Sequence, residues 1–170
     1  MITFPPPEEA PALTESSPHL ELRVVCEDGG VMPTRGRPAD VGLDLKVRSI
    51  KRDHRNSDLV MFIADLGVRV EPPRGYYVEL VPRSSLAWSG FMMPNSVGVI
   101  DPDYRGVLLM PLIHLGDPAR AEARAQSLVG ARIGQLILRR VERADVIEIQ
   151  RAELSETSRG EGRFGSSGRD

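Results

Sequence analysis

Short apolar segments interrupted by frequent turn signals are the feature that most constrains the fold of this 170-residue chain. It contains 16 glycines and 14 prolines, well above average usage, and they cluster between the apolar runs. Runs that predict strands are residues 20–26, 42–47, 59–70, 76–81, 96–100, 107–115, 132–141 and 145–151. Many short strands with little helix predict an all-β sandwich or barrel.

Helix signals are few and short. Asp117 and Pro118 precede an alanine-rich stretch at 119–125, and they supply an N-cap residue and a proline at the first helical position. A second helical turn is predicted to follow residues 82–85 and to run through Trp88. These two segments do not alter the all-β prediction.

Composition excludes several functional classes. The formal net charge of −2 disfavours a general nucleic-acid binder, and no apolar run approaches the roughly 18 residues of a membrane-spanning helix. A single cysteine, Cys26, excludes an internal disulfide framework and any multi-cysteine zinc site. The first residues lack the basic and apolar pattern of a secretory signal. We therefore expect a soluble, cytoplasmic protein that binds neither nucleic acid nor a membrane.

The two ends of the chain differ in composition from its centre. Residues 1–18 include five prolines with acids and serines, which predicts a flexible extension before a β domain at 19–154. Residues 155–170 are rich in Gly, Ser and Arg and carry one aromatic residue, Phe164. By composition this segment is a disordered tail, and the functional alternative is an arm that closes over a ligand.

Three segments contain residues suited to phosphate and base chemistry. Arg83, Ser84 and Ser85 at the start of a helical turn suit a phosphate site, although simple N-capping by either serine is an alternative. A nucleophilic serine is disfavoured because the chain has no Gly-x-Ser-x-Gly elbow and no histidine placed as its base. Residues 95–106 predict a β-hairpin with a charged turn. It is either an ordinary polar hairpin turn or one that holds the Asp101 carboxylate at a fixed position and reads the hydrogen-bonding edge of a base. The glycine-rich segment 159–168 can wrap phosphates with its backbone amides.

In this order, five segments of the chain resemble the five motifs of the trimeric deoxyuridine triphosphatase (dUTPase) family. They are residues 41–45, 82–87, 95–106 with the core Gly-Val-Ile-Asp-x-x-Tyr-Arg-Gly, 132–136 and 159–168. The resemblance implies an all-β, distorted jelly-roll or β-barrel of the β-clip type that assembles as a homotrimer. It also implies hydrolysis of dUTP to dUMP and pyrophosphate with Mg²⁺, which keeps uracil out of DNA and supplies dUMP for thymidylate synthesis.

The resemblance assigns a role to individual residues. Asp101 would be the general base for the water that attacks the α-phosphorus, and Tyr104 would pack under the deoxyribose and reject UTP. Asp44 would steady the arginine of the second motif and the water shell of the metal, which the triphosphate and water would hold without direct protein ligands. The substrate-binding residues implied are Arg83, Ser84, Ser85, Asn95, Gly98, Val99, Ile100, Tyr104, Leu109, Gln135, Arg159, Phe164, Gly165, Ser166 and Ser167.

The family also predicts the partners and the alternatives. The arm at 155–170 would reach the active site of a neighbouring subunit, where Phe164 stacks on uracil. Two alternatives remain, namely the related deoxycytidine triphosphate deaminase and a catalytically silent dUTP-binding regulator. Arg163 stands where the family usually has glycine, and together with the proline-rich start it is the support for the silent regulator.

Overall fold

The computed structural model describes residues 20–158, 160 and 161. Ten strands account for most of the regular structure in this part of the chain. They are β1 (Arg23–Cys26), β2 (Leu43–Lys46), β3 (Ser49–Asp53), β4 (Met61–Asp65), β5 (Val68–Glu71), β6 (Tyr76–Pro82), β7 (Phe91–Met92), β8 (Gly98–Ile100), β9 (Leu109–His114) and β10 (Arg132–Arg140). The predicted all-β class is confirmed.

The strands form three open sheets in which every strand pair is antiparallel. One four-stranded sheet has the order β2-β10-β6-β8, and we call it the site sheet. The second four-stranded sheet has the order β3-β4-β9-β7, and β1 pairs only with β5. The arrangement is of the jelly-roll type, without closure of a barrel among the described residues.

One hydrophobic core joins the two four-stranded sheets. In β6, Val78 and Leu80 point into the core, whereas Tyr77, Glu79 and Val81 lie on the opposite, outer face of the site sheet. The second sheet contributes residues such as Phe62, Met110 and Leu112, all fully buried. Burying each such side chain contributes about 1.5–3 kcal/mol, which holds the site sheet in a fixed position.

Short helices occur where the sequence predicts them. A 3₁₀ helix spans Ser84–Ser89 directly after β6. A 3₁₀ turn at Pro118–Arg120 leads into α1 (Ala121–Gln126), and the Asp117 carboxylate accepts a hydrogen bond from the Ala119 N–H at 3.0 Å, as expected of an N-cap. Another 3₁₀ turn covers Arg151–Glu153. None of the helices in the described chain is long and apolar enough to cross a membrane.

Two predicted strands are wrong. Residues 59–70 form two strands in different sheets, because the chain turns at Gly67, whose φ of +66° suits glycine. Residues 145–151 alternate in polarity but contain no strand, and Val146 and Ile147 are 98% and 77% exposed. A strand needs a neighbouring backbone, and this segment has none within its own described chain. Two further strands, the five-residue β3 and the two-residue β7, were not predicted from the sequence.

The predicted hairpin at 95–106 is also different in the structure. β8 pairs with β6, whereas β9 pairs with β4 and β7 in the other sheet. The turn at 101–107 therefore crosses from one sheet to the other and does not join two paired strands. As a consequence, Asp101 follows an edge strand of the site sheet.

Candidate active site

A buried carboxylate with two arginine partners forms the centre of one cluster on the site sheet. Asp44 in β2 is 8% exposed, and its Oδ1 lies 2.9 Å from Nε of Arg83. Its Oδ2 lies 3.3 Å from Nη1 of Arg132. Desolvation makes an isolated carboxylate costly, and the two cations offset that cost. Two guanidinium groups therefore contact the single Asp44 carboxylate.

Backbone pairing fixes the base of the Arg83 side chain. The Arg83 N–H donates to the Ile133 carbonyl at 2.8 Å, which ties the end of β6 to the start of β10. Arg83 itself is the N-cap residue of the 3₁₀ helix and makes no side-chain capping hydrogen bond. The capping alternative for Ser84 and Ser85 is therefore wrong. Both serines are exposed in the first helical turn, where their hydroxyl groups can meet a ligand.

Gln135 lies beside the Asp44–Arg83 ion pair because of the strand register. It stands opposite Asp44 in β2 and opposite Val81 in β6. Its Nε2 makes a long contact of 3.5 Å to the Pro82 carbonyl, and its Oε1 lies over Gly42, where a Cβ would come within 2.0 Å. A cavity of about 280 Å³ collects these groups, and it is lined by Asp40, Val41, Gly42, Asp44, Arg83, Ser84, Gln135 and Ile137. We call it the phosphate cavity.

The turn that carries Asp101 forms a second cluster, which we call the Asp101 turn (residues 101–106). Asp101 is exposed, and its carbonyl accepts the Tyr104 N–H at 3.1 Å. The Tyr104 hydroxyl donates to the Val107 carbonyl at 3.1 Å, and its ring lies against Gly106. A Cβ at position 106 would come within 2.1 Å of the Tyr104 hydroxyl oxygen, so glycine is required for this close approach. The ring is 43% exposed and presents a surface to solvent.

Most of the residues predicted to contact the base of the substrate lie along β8 and in the turn before it, and Leu109 lies in β9. The Asn95 Nδ2 donates to the Val97 carbonyl at 3.3 Å, and Ser96 adopts a φ of +56° between them. Gly98, Val99 and Ile100 pair with Leu80, Glu79 and Val78 of β6. Leu109 begins β9 in the other sheet, where it is 49% exposed opposite Asp65.

A charged network lies on the outer face between the two clusters. The Glu79 carboxylate accepts hydrogen bonds from Arg139 at 2.8 Å and from the Tyr77 hydroxyl at 2.9 Å. The hydrogen bonds from Arg139, first, and from Tyr77 lower the pKa of Glu79. The hydrogen bond between Tyr77 and Glu79 raises the pKa of Tyr77. The network keeps the Glu79 carboxylate ionised and hydrogen-bonded.

A single chain does not bring the two clusters together. Ile100 pairs with Val78, so Asp101 emerges about five residues along β6 from Arg83. At about 3.4 Å per residue this separation is roughly 17 Å.

Arg132 is a functional candidate that the sequence analysis did not single out, although it stands in the fourth motif. The predicted site residues Arg159, Phe164, Gly165, Ser166 and Ser167 lie outside the described residues.

Comparison with known proteins identifies the relatives of this chain. Residues 28–168 match the model of the dUTPase family. Deoxyuridine 5'-triphosphate nucleotidohydrolase from Arabidopsis thaliana is 37% identical over 153 residues, covering 89% of this chain and 84% of the relative. The enzyme of the same name from Fusobacterium nucleatum is 31% identical over 151 residues, covering 88% and 98%.

The fold has solved counterparts as well. A structure of the Staphylococcus bacteriophage 80alpha dUTPase with dUPNHPP matches with a TM-score of 0.70 and 21% identity, over 88% of this chain and 99% of that chain. The structural match supports the fold, and the family match covers all five motifs found in the sequence. The chain therefore belongs to the dUTPase family.

Proposed function

We propose that this protein hydrolyses dUTP to dUMP and pyrophosphate. The observation that carries the proposal is the phosphate cavity, which Arg83, Ser84 and Gln135 line and where Arg83 and Arg132 pair with Asp44, in a chain of the dUTPase family. Guanidinium donors together with neutral hydrogen-bonding groups suit a triphosphate. In this proposal the Ser84 hydroxyl contacts the bridge between the α- and β-phosphates, and Ser85 and the Gln135 amide supply further contacts.

Asp101 is the general base in this proposal. A water oxygen attacks the α-phosphorus, its proton passes to the Asp101 carboxylate, and the bond from the α-phosphorus to the bridging oxygen breaks. Pyrophosphate then leaves with that oxygen and its electron pair. An aspartate is ordinarily ionised at neutral pH and can accept this proton. Most of the rate enhancement comes from holding the water in line and from the arginines that stabilise charge on the phosphates.

The Asp101 turn and β8 provide specificity. Asn95 and the backbone at Gly98, Val99 and Ile100, with Leu109, read the edge of uracil, and the tight backbone leaves no space for a 5-methyl group. The exposed face of Tyr104, braced against Gly106, packs under the deoxyribose. A 2′-hydroxyl would collide with this ring, which disfavours UTP.

We infer that the complete site needs neighbouring subunits of a homotrimer. The roughly 17 Å between Asp101 and Arg83 along β6 is the first support, since both must reach one α-phosphate. The second is the exposed apolar character of the segment that precedes the arm, where Val146, Ile147 and Leu154 are 98%, 77% and 63% exposed. The arm at 155–170 would close over a neighbour's site, with Phe164 on uracil and Arg159, Gly165, Ser166 and Ser167 at the phosphates.

Mg²⁺ fits this site as an ion carried by the substrate. The described residues contain no group of three His, Cys, Asp or Glu side chains that could hold a metal. Both oxygens of Asp44 face arginines, and Asp40 accepts the Arg37 N–H at 2.8 Å. Bound to the triphosphate, the ion would neutralise phosphate charge.

Activity measurements distinguish this proposal from its alternatives. Pyrophosphate release is measured with Mg²⁺ from dUTP, dCTP, dTTP and UTP, and ammonia is followed in the dCTP sample. Release from dUTP alone is expected. Ammonia from dCTP would indicate the deaminase, and binding of dUTP without turnover would indicate the silent regulator.

Subunit mixing tests whether the site is shared. Asp101→Asn and Arg83→Ala proteins, each inactive, are denatured, mixed in equal amounts and refolded together. If Asp101 and Arg83 of one site come from different subunits, about a quarter of the sites regain both residues. No recovery from a correctly assembled mixture would place both residues in one chain.

A further inference from the structure

The small sheet of β1 and β5 holds the Asp101 turn through an arginine outside the five motifs. Nη1 of Arg69 in β5 donates to the Arg105 carbonyl at 2.7 Å. Its Nε hydrogen-bonds the carboxylate of Glu27, which follows β1. Arg69 thus links a carboxylate on its own sheet to the backbone of the turn. Its side chain is 41% exposed, so the contact is made at the surface.

Arg105 continues this connection inside the turn. Its Nη1 donates to the Pro102 carbonyl at 2.8 Å and to the Tyr104 carbonyl at 2.9 Å. Its Nη2 lies 3.6 Å from the Glu71 carboxylate at the end of β5. The guanidinium therefore ties the residue directly after Asp101 to β5. Together, the hydrogen bond from Arg69 to the backbone of the turn and the ion pair of Arg105 with Glu71 connect the Asp101 turn to β5.

The two ends of the turn are anchored differently. Before Asp101, β8 is fixed by its pairing with β6. After the turn, the Leu108 N–H donates to the Val68 carbonyl at 2.9 Å, so the chain is bound to β5 again. Between these anchors, Asp101 is exposed and lies outside any strand. Its position depends on the bonds that hold the turn.

We propose that Arg69 is a positioning residue for Asp101, a role that rests on the proposed dUTP hydrolysis. Without Arg69 the Arg105 carbonyl is left to water, and the turn gains freedom relative to β5. A general base must lie within hydrogen-bond reach of the attacking water, and a displacement of about 1 Å can cost on the order of a hundredfold in rate. The phosphate cavity lies on β2, β6 and β10, so the contacts that bind the phosphates do not depend on Arg69.

Three variants separate positioning from general stability. Arg69→Met keeps the length of the side chain and removes its donors, and Arg69→Lys keeps the charge but not the two-pronged geometry. Arg120→Met is the matched control, because Arg120 is also an exposed arginine, forms an ion pair with Asp117 at 3.8 Å and shares no partner with the Asp101 turn. We expect Arg69→Met to lower kcat on the order of tenfold or more with a smaller change in KM, Arg69→Lys to recover part of it, and Arg120→Met to match the wild type. Wild-type kcat in Arg69→Met, or an equal loss in Arg120→Met, would overturn the proposal.

Hydrogen exchange tests the positioning without relying on turnover. The Tyr104 amide donates to the Asp101 carbonyl at 3.1 Å, so peptides covering the Asp101 turn report its order. We expect faster exchange there in Arg69→Met than in the wild type or Arg120→Met, with unchanged exchange in β10. Unchanged exchange in the turn would refute the positioning role even in a protein that hydrolyses dUTP. Conversely, faster exchange in a protein that releases no pyrophosphate would uphold the restraint and refute the proposed activity.

Discussion

Replacement of Asp44 tests the centre of the phosphate cavity. Asp44→Asn keeps the shape of the side chain and removes its charge. The carboxylate makes one close contact with Arg83 at 2.9 Å and a longer one with Arg132 at 3.3 Å. A hydrogen bond to a charged group contributes about 1.5–3 kcal/mol and a neutral one about 0.5–1.5 kcal/mol. Losing the charge at the Arg132 hydrogen bond and at the Arg83 ion pair therefore costs about 2 kcal/mol of stability.

The partially exposed arginines set an upper limit to this effect. The Arg83 and Arg132 side chains are 30% and 49% exposed, so water can hydrate them once the carboxylate is gone. We therefore expect Asp44→Ala to cost about 3 kcal/mol, at the low end for removing one member of a buried ion pair. Arg83 would also lose its fixed orientation, which should raise the KM for dUTP in both variants.

Urea denaturation at one fixed protein concentration measures the free energy of unfolding, and steady-state pyrophosphate release measures KM. Glu142→Gln is the matched control, since its ion pair with Arg140 at 3.5 Å is exposed on both sides and should contribute less than about 1 kcal/mol. Stability of Asp44→Asn equal to that of the control would refute the reasoning. A lower KM would mean that the Asp44 charge repels phosphate more than it orients Arg83.

Other predictions test the remaining parts of the site. Asp101→Asn should keep dUTP binding and lower kcat by several orders of magnitude, and near-normal turnover would remove Asp101 from the role of base. Deletion of residues 155–170 should abolish most activity while circular dichroism and the melting transition stay close to wild type; full activity would leave the arm without a catalytic role. Gly106→Ala should lower kcat, because a Cβ there would lie 2.1 Å from the Tyr104 hydroxyl oxygen and would displace this exposed side chain, and a wild-type kcat would contradict that packing. Hydrogen bonds from the side chain and backbone of Arg55 lower the pKa of Asp53 from 3.8 to about 2, so its stabilising contribution is present above about pH 4 and is lost as the pH falls towards 2. The free energy of unfolding of Asp53→Asn should therefore fall less than that of the wild type between about pH 4 and 2. The same pH dependence in both proteins would contradict this prediction.

Local sequence patterns predicted the strands that carry the site. β6 and β10 each contain a short run of apolar or aromatic residues that favour strands, so their positions followed from composition. β7 has only two residues, too few for any periodicity. Residues 145–151 show the converse, because their pattern is that of a strand but their own described chain offers no neighbouring edge. A strand forms only when it pairs with another strand, and the pattern of one segment does not show which strand that is.

The contacts of the site could not be read from local patterns. Arg132 reaches Asp44 across 88 positions of sequence, and only the pairing of β10 with β2 brings them together. The motif resemblance proposed Asp44, Arg83 and Gln135 for one site, and the register places these three around one cavity. Arg69 had no motif to mark it, since its contact with the Arg105 carbonyl depends on how two sheets meet.

The two clusters differ in what holds them, and this difference predicts how substitutions in each will behave. Gln135 and Asp44 stand on paired strands in the sheet, so backbone hydrogen bonds on β2, β10 and β6 fix their positions. Substitutions there disturb a buried ion pair and should change stability and substrate binding together. Asp101 follows the edge strand β8 on a turn held by side chains at the surface. Because surface contacts contribute little to folding, substitutions there should change turnover far more than stability.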